Sequence, residues 1–320
     1  MTSKHLVDPE LVAILEYIPD TTLTNDNLKE IRAMSARAFA DLPPFDGFTM
    51  SERLIPGAEG APDVRVVVYL PTRVQGAVPV LLWLHGGGYI MGSANAEDAT
   101  IKSIVSVIGC AAIAVDYRLA PETPYPGPLE DCYAALKWLS THADELGIDP
   151  NRIAVGGSSA GAGLAAALAL LAHDRGEFHL IFQLLIAPMI DDRTVTLAHP
   201  HPYTGEFIWT PQANRIGWTS LLGHEPGGFD VSPYAAAARA ENLEGLPATF
   251  INVGAIDLFL EEDVEYARRL IRAGVPTELH VYPGAYHGFR MLADAQVTQT
   301  AQRDQLAALK RAFELAQQAI

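Results

Sequence analysis

The sequence predicts an α/β protein built on a mostly parallel β-sheet with helices on both faces. Three observations carry this. From about residue 64 onward, short apolar, β-branched runs alternate with longer helical patterns. One run leads into the glycine loop His85-Gly86-Gly87-Gly88-Tyr89, and a later one into the turn Gly157-Ser158-Ser159-Ala160-Gly161. Continuous apolar strands separated by helices belong to parallel sheets, because the crossover helices cover both faces and leave no strand face in water.

Taken in order, residues 1 to about 50 read as helical, with apolar positions at Leu11, Ile14, Leu15 and Ile18, then Leu28, Ile31 and Met34. Residues 64–70 form the first strand, and residues 80–84, Val-Leu-Leu-Trp-Leu, a fully buried one. Strands follow at 111–115, 152–155, 180–185, 249–253 and 277–282. Helical patterns fill 129–146, 160–173, 261–273 and 298–319. Residues 192 to about 225 break the rhythm, being rich in His, Pro, Gly and aromatics, with Phe207, Trp209 and Trp218 close together. Neither irregular region is expected to extend the sheet. Both read as a cap over the carboxyl edge of the strands, where open α/β sheets keep their ligand sites. The expected organisation is a single domain over residues 1–320, with cap elements at about 1–50 and 192–225.

A chain of 320 residues buries roughly three-quarters of its unfolded surface, so it needs no metal or disulfide to hold it. The net charge of -16, from 38 acidic and 22 basic residues, argues against nucleic acid as a partner, and no Lys/Arg cluster offers a local exception. The acidity reads as solubility. Cys110 and Cys132 both lie in apolar stretches. Two buried thiols are the simpler reading and a disulfide is the alternative. The first fifteen residues lack the basic start and apolar run of a signal peptide, and no charge-free apolar stretch reaches membrane-spanning length. A cytoplasmic protein without a membrane partner is expected.

The two glycine motifs carry the chemistry. Acyl transfer at neutral pH needs an activated hydroxyl, a base, a group that orients the base, and donors for the oxyanion. Ser159, not Ser158, has glycine at both the -2 and +2 positions, Gly157 and Gly161. A sharp strand-to-helix turn demands small residues there, which makes Ser159 the candidate nucleophile. Three consecutive glycines after residue 84 cost backbone entropy, so their use points to close approach of the backbone to a reacting group. The amides of Gly87 and Gly88, with that of Ala160 at a helix start, are the expected oxyanion donors. His85 reads as a loop-stabilising residue. Among ten histidines, His287 follows the last strand in a loop-like segment and is the candidate base. His280 lies within a strand, and His199, His201 and His224 lie in the expected cap as weaker rivals. Asp257, just past the strand at 249–253, is the candidate acid, while Glu261, Glu262 and Asp263 read as first-turn carboxylates of the next helix.

These residues, together with Asp116-Tyr117-Arg118-Leu119-Ala120-Pro121-Glu122, resemble the hormone-sensitive-lipase-like carboxylesterases (bacterial family IV) of the α/β-hydrolase fold. The resemblance runs from about residue 64 to Phe289, and the order Ser159, Asp257, His287 is the order of that fold. It implies hydrolysis of short- to medium-chain acyl esters, a cap from the N-terminal helices and a later insertion, no cofactor, and often a homodimer. It also implies that Asp116, Arg118 and Glu122 are structural. Two departures stand out: Ser158 replaces the usual Asp or Thr, and Leu258-Phe259 replaces a common Pro-Leu pair. An amidase or peptidase using the same three residues is the rival enzyme reading. A non-catalytic hydrolase-fold receptor is a rival binding reading, but the receptors of this kind have lost the histidine that His287 supplies here. The aromatics Phe39, Phe45, Trp209 and Trp218 are read either as pocket walls or as plain packing.

Overall fold

The apolar runs pair into one sheet. The computed structural model of the protein describes residues 2–16, 23–24, 26–38, 47–72, 74 and 76–318. The strands are β1 (Phe48–Ile55), β2 (Val64–Pro71), β3 (Val78–Leu84), β4 (Ala111–Asp116), β5 (Ile148–Ser158), β6 (Phe182–Ile186), β7 (Ala248–Gly254) and β8 (Thr277–Tyr282). The helices are α1 (Pro9–Val12), α2 (Leu28–Ala38), α3 (Asp98–Ile108), α4 (Gly127–Thr141), α5 (Ala143–Leu146), α6 (Ala160–Arg175), α7 (Pro211–Leu222), α8 (Leu260–Arg272) and α9 (Gln296–Gln318). The eight strands lie in the order β1-β2-β4-β3-β5-β6-β7-β8. β2 runs antiparallel to β1 and β4, and every pair from β4 onward is parallel.

Alternation along the strands sorts side chains onto two cores. Leu82, Ile113, Val155 and Leu185 face the side covered by α4, α6 and α8. Leu81, Trp83, Ala112 and Leu184 face the side covered by α3 and α9. The expected architecture, a mostly parallel sheet with helices on both faces, is therefore present. Cys132 is in the first core and Cys110 in the second, both as free thiols, so the disulfide alternative falls.

Three boundaries differ from expectation. β1 begins at Phe48 and extends the sheet, although the region up to about residue 50 was expected to stay outside it. It is an edge strand, exposed at residues 50–54, so it never showed an apolar run. The helix expected over 129–146 breaks at His142 into α4 and α5. The apolar period runs through the break because Leu139, Ala143 and Leu146 all join the same core. α3 and α7 lie outside the expected helical stretches, α7 within the irregular 192–225 region.

Asp116, Arg118 and Glu122 are each paired, as a structural role requires. Asp116 accepts from the Ala94 amide and from Arg65, both at 2.6 Å. Glu122 receives Arg32, which also donates to the carbonyls of Ile90 (2.6 Å) and Ala120 (2.7 Å). Asp131 on α4, 0% exposed, accepts from the Arg118 amide at 2.9 Å and from its guanidinium at 2.7 and 2.8 Å. Replacing Asp131 by alanine removes the anion and leaves a guanidinium whose side chain is 30% exposed. The expected loss of stability is about 2–4 kcal/mol, below the value for a fully buried pair because water partly solvates Arg118. Urea unfolding of the variant checks this; a loss below about 0.5 kcal/mol would contradict it.

Candidate active site

Parallel strands bring their carboxyl ends to one edge, and the site is built from the loops that leave it. β5 ends at Ser158 and α6 starts at Ala160, so Ser159 alone makes the turn, at φ 54° and ψ -121°. A positive φ is strained for a residue with a Cβ. The turn is held by the Ser159 amide donating to the Ile186 carbonyl (2.8 Å) and the Met189 amide donating to the Ser159 carbonyl (3.0 Å). A Cβ at Gly157 or Gly161 would overlap the Leu84 carbonyl oxygen, and one at Gly163 would overlap Met189 and Tyr89. The glycines thus let α6 seat directly on the end of β3.

His287 stands on the loop after β8. Its Nε2 lies 3.0 Å from Ser159 Oγ and its Nδ1 2.9 Å from Asp257 Oδ2. With Nδ1–H donating to the Asp257 carboxylate, Nε2 is the acceptor for the serine hydroxyl. Asp257, 1% exposed, follows β7, and its other oxygen accepts from the Phe259 amide at 3.0 Å. The acid and base loops are stitched together: the Ala255 amide donates to the Tyr282 carbonyl (2.8 Å) and the Ile256 amide to the Ala285 carbonyl (3.1 Å). Phe259 packs edge-on to the His287 ring, with centroids 5.0 Å apart.

The glycine loop lies beside this trio. Gly87 and Gly88 have φ of 120° and 60°. The loop's turn bonds run from the amides of Ile90 (3.1 Å) and Met91 (3.0 Å) to the Gly87 carbonyl. A Cβ on Gly88 would overlap the Trp209 indole, whose ring is also 6.4 Å from that of His287. Trp209 therefore borders the site, whereas Trp218 is fully buried against Tyr89 and is plain packing. Phe39 and Phe45 lie outside the described residues.

His85 fills the loop-stabilising role expected of it. Its Nδ1 donates to the Gly86 carbonyl at 2.8 Å, and its ring stacks on Tyr117 at 4.1 Å. Burial pushes its imidazole below the ordinary pKa, so it stays neutral. The rival histidines do not reach the serine. His280 binds Glu278 at 2.7 Å and packs on Phe250, while His201 contacts Tyr203 and His224 the Glu225 carbonyl.

All three carboxylates lie in the first turn of α8 as expected, but only Glu261 is exposed. Glu262 is buried and accepts from the amides of Ile190 (2.8 Å) and Asp191 (3.1 Å) and from the Thr194 hydroxyl. Asp263 is buried with no partner for either oxygen among the described residues. The sequence missed both because a carboxylate at a helix start normally faces water. Phe259, noted in the sequence only as part of a departure from a Pro-Leu pair, packs against the His287 ring.

Among the described residues no group of three or more His, Cys, Asp or Glu side chains could hold a metal ion, and no helix is long and apolar enough to cross a membrane. A cleft of about 980 Å³ is lined by Leu258, Glu261, Glu262 and Arg239 and by neither Ser159 nor His287. Side-chain chemistry, not cavity size, identifies the site.

A serine on a strand-to-helix turn, with a histidine and a carboxylate on later loops of a mostly parallel sheet, defines an α/β hydrolase. The α/β-hydrolase fold family matches residues 81–291. Carboxylesterase NlhH of Mycobacterium tuberculosis is 34% identical over 96% of this chain and 96% of its own. Esterase LipI of the same organism is 32% identical over 89% and 88% respectively. A solved structure of a bacterial heroin esterase is 41% identical, with a TM-score of 0.91 over 98% of this chain and 99% of that one. The chain belongs to the α/β-hydrolase fold family, in its hormone-sensitive-lipase-like carboxylesterase branch.

Asp263 makes a pH-dependent prediction. Burial, then the charges of Glu262 and Asp257, hold its carboxyl well above the usual carboxylate range. The folded state therefore keeps a proton that the unfolded state releases, and stability falls as pH rises above about 4, toward the folded pKa. Asp263→Asn removes this term. Its stability relative to the parent should rise between pH 5 and pH 8 in urea unfolding. Parallel pH dependence of the two proteins would contradict the assignment.

Proposed function

We propose that the protein is a serine carboxylesterase acting on short- to medium-chain acyl esters, with Ser159 as nucleophile, His287 as base and Asp257 as acid. The observation that carries the reading is the His287 imidazole bridging Ser159 Oγ at 3.0 Å and Asp257 Oδ2 at 2.9 Å. His287 takes the hydroxyl proton as Ser159 Oγ bonds to the ester carbonyl carbon. Asp257 holds the Nδ1 tautomer and stabilises the imidazolium. The amides of Gly87, Gly88 and Ala160 receive the oxyanion, each donor contributing ~10²–10³ in rate. Collapse of the tetrahedral intermediate breaks the carbonyl-to-alkoxy bond, and His287 protonates the leaving alcohol. Water, deprotonated by His287, then attacks the acyl-enzyme, and the carboxylic acid leaves as Ser159 regains its proton.

In this reading the N-terminal segment and residues 192–225 form a cap on a single hydrolase domain. Support comes from Trp209 bordering Gly88 and His287, and from the Asp8 amide donating to Gly284, on the loop of His287, at 3.0 Å. A cytoplasmic location accords with two free, buried thiols. A homodimer accords with β8, which ends the sheet with no strand on its outer side among the described residues.

Hydrolysis of p-nitrophenyl esters from acetate to dodecanoate tests the reading. Turnover should peak at the shorter chains, and Ser159→Ala or His287→Ala should lower kcat by about 10⁴–10⁶ while the protein stays folded. No turnover at any chain length, or only a tenfold loss in a folded variant, would overturn it; turnover of matched anilides alone would indicate an amidase.

A further inference from the structure

We propose that Glu97 is a positioning residue for the oxyanion hole, and that it and Ser158 act as a matched pair joining the glycine loop to the nucleophile turn. The inference rests on the reading of Ser159 as nucleophile and of the Gly87 and Gly88 amides as oxyanion donors.

Glu97 sits at the N-cap of α3, yet its side chain makes no cap bond to that helix. Instead its Oε1 accepts from the Gly86 amide at 2.9 Å and from the Ser158 hydroxyl. Its Oε2 accepts from Trp83 Nε1 at 3.1 Å, and Trp83 is a fully buried residue of β3. One carboxylate thereby ties together the strand before the glycine loop, the loop itself and the residue before the nucleophile.

The consequence follows from peptide geometry. The Gly86 carbonyl and the Gly87 amide belong to one planar trans unit and point in opposite directions, so fixing one aims the other. His85 fixes the carbonyl through Nδ1 at 2.8 Å, and Glu97 fixes the amide on the other side of the same residue. Gly86 has no Cβ to restrict it, so these two bonds do the work that sterics would do elsewhere. An oxyanion donor must meet the developing charge at about 2.7–3.1 Å, which leaves little room for a loose loop. Burial holds the Arg290 guanidinium, three residues past His287, below its ordinary pKa, and the Glu97 charge opposes that shift.

The pairing gives a physical reason for Ser158. A neutral hydroxyl can donate to a carboxylate. An aspartate at 158 would set a second anion within hydrogen-bonding reach of Glu97 in a half-buried site, where like charges repel.

The test compares the parent, Glu97→Gln, Ser158→Asp and the Glu97→Gln/Ser158→Asp double variant on p-nitrophenyl butyrate. Each is also titrated with a trifluoromethyl ketone, which forms an oxyanion on the nucleophile. Glu97→Gln should lower kcat about 10- to 100-fold with KM nearly unchanged, and should weaken the ketone by a similar factor. Ser158→Asp should lose more, and the double variant should recover at least about tenfold over it, because a neutral glutamine removes the repulsion between the two carboxylates. Trp83→Phe, which deletes one donor to the carboxylate, should lose about three- to tenfold in kcat and carries the test if Glu97→Gln does not fold. The inference is overturned if kcat of folded Glu97→Gln, or of Trp83→Phe in its place, stays within twofold of the parent. It is equally overturned if the losses appear in KM alone, or if the double variant shows no recovery. An inactive parent, or activity that survives Ser159→Ala, would instead defeat the underlying esterase reading.

Discussion

The rest of the structure depends on one backbone constraint, the left-handed turn at Ser159. At φ 54° the serine is held where an L-residue is strained, at a cost of about 1–3 kcal/mol. The strain persists because the neighbours over-determine it. The Ser159 amide is bonded to Ile186 at the end of β6 and its carbonyl to Met189 just after that strand, and α6 behind it is buried over residues 160–172. Alanines and glycines let that helix lie against the sheet, and their small size is the structural counterpart of the sharp turn. The result is a hydroxyl presented at the carboxyl edge of the sheet and next to the amide of Ala160.

The other parts of the site are placed by topology and then locked locally. A parallel β7 and β8 deliver Asp257 and His287 to the same edge as Ser159, and backbone bonds between their loops set the spacing of acid and base. Residues near the N-terminus reinforce both sides. Tyr286 donates to the Leu11 carbonyl at 3.1 Å beside His287, and Arg32 grips the Ile90 and Ala120 carbonyls behind the glycine loop. The site is thus assembled from segments far apart in sequence, each anchored by its own hydrogen bonds.

Much of this was legible in the sequence, for reasons that particular residues make clear. Buried strands such as residues 80–84 announce themselves as apolar runs, and Gly157 and Gly161 single out Ser159 from Ser158 because only small residues fit the turn. Asp257 and His287 were legible because each follows a strand of the parallel sheet. β1 was not, since an exposed edge strand has no run to show. Nor were the roles of Glu97, Glu262 and Asp263, because tertiary packing decides which partners a carboxylate meets and whether it is buried. Trp209 could be placed in an irregular region but not against Gly88, a contact made only when the 192–225 segment folds back on the loop.

The central claim is that Ser159, activated through His287, is the group that becomes acylated. The most direct measurement is covalent capture with a fluorophosphonate, followed by peptide mass spectrometry that separates Ser158 from Ser159. The account predicts a single adduct on Ser159, formed rapidly in the parent and strongly slowed in His287→Ala. An adduct on Ser158, or labelling of Ser159 at an undiminished rate without His287, would contradict it.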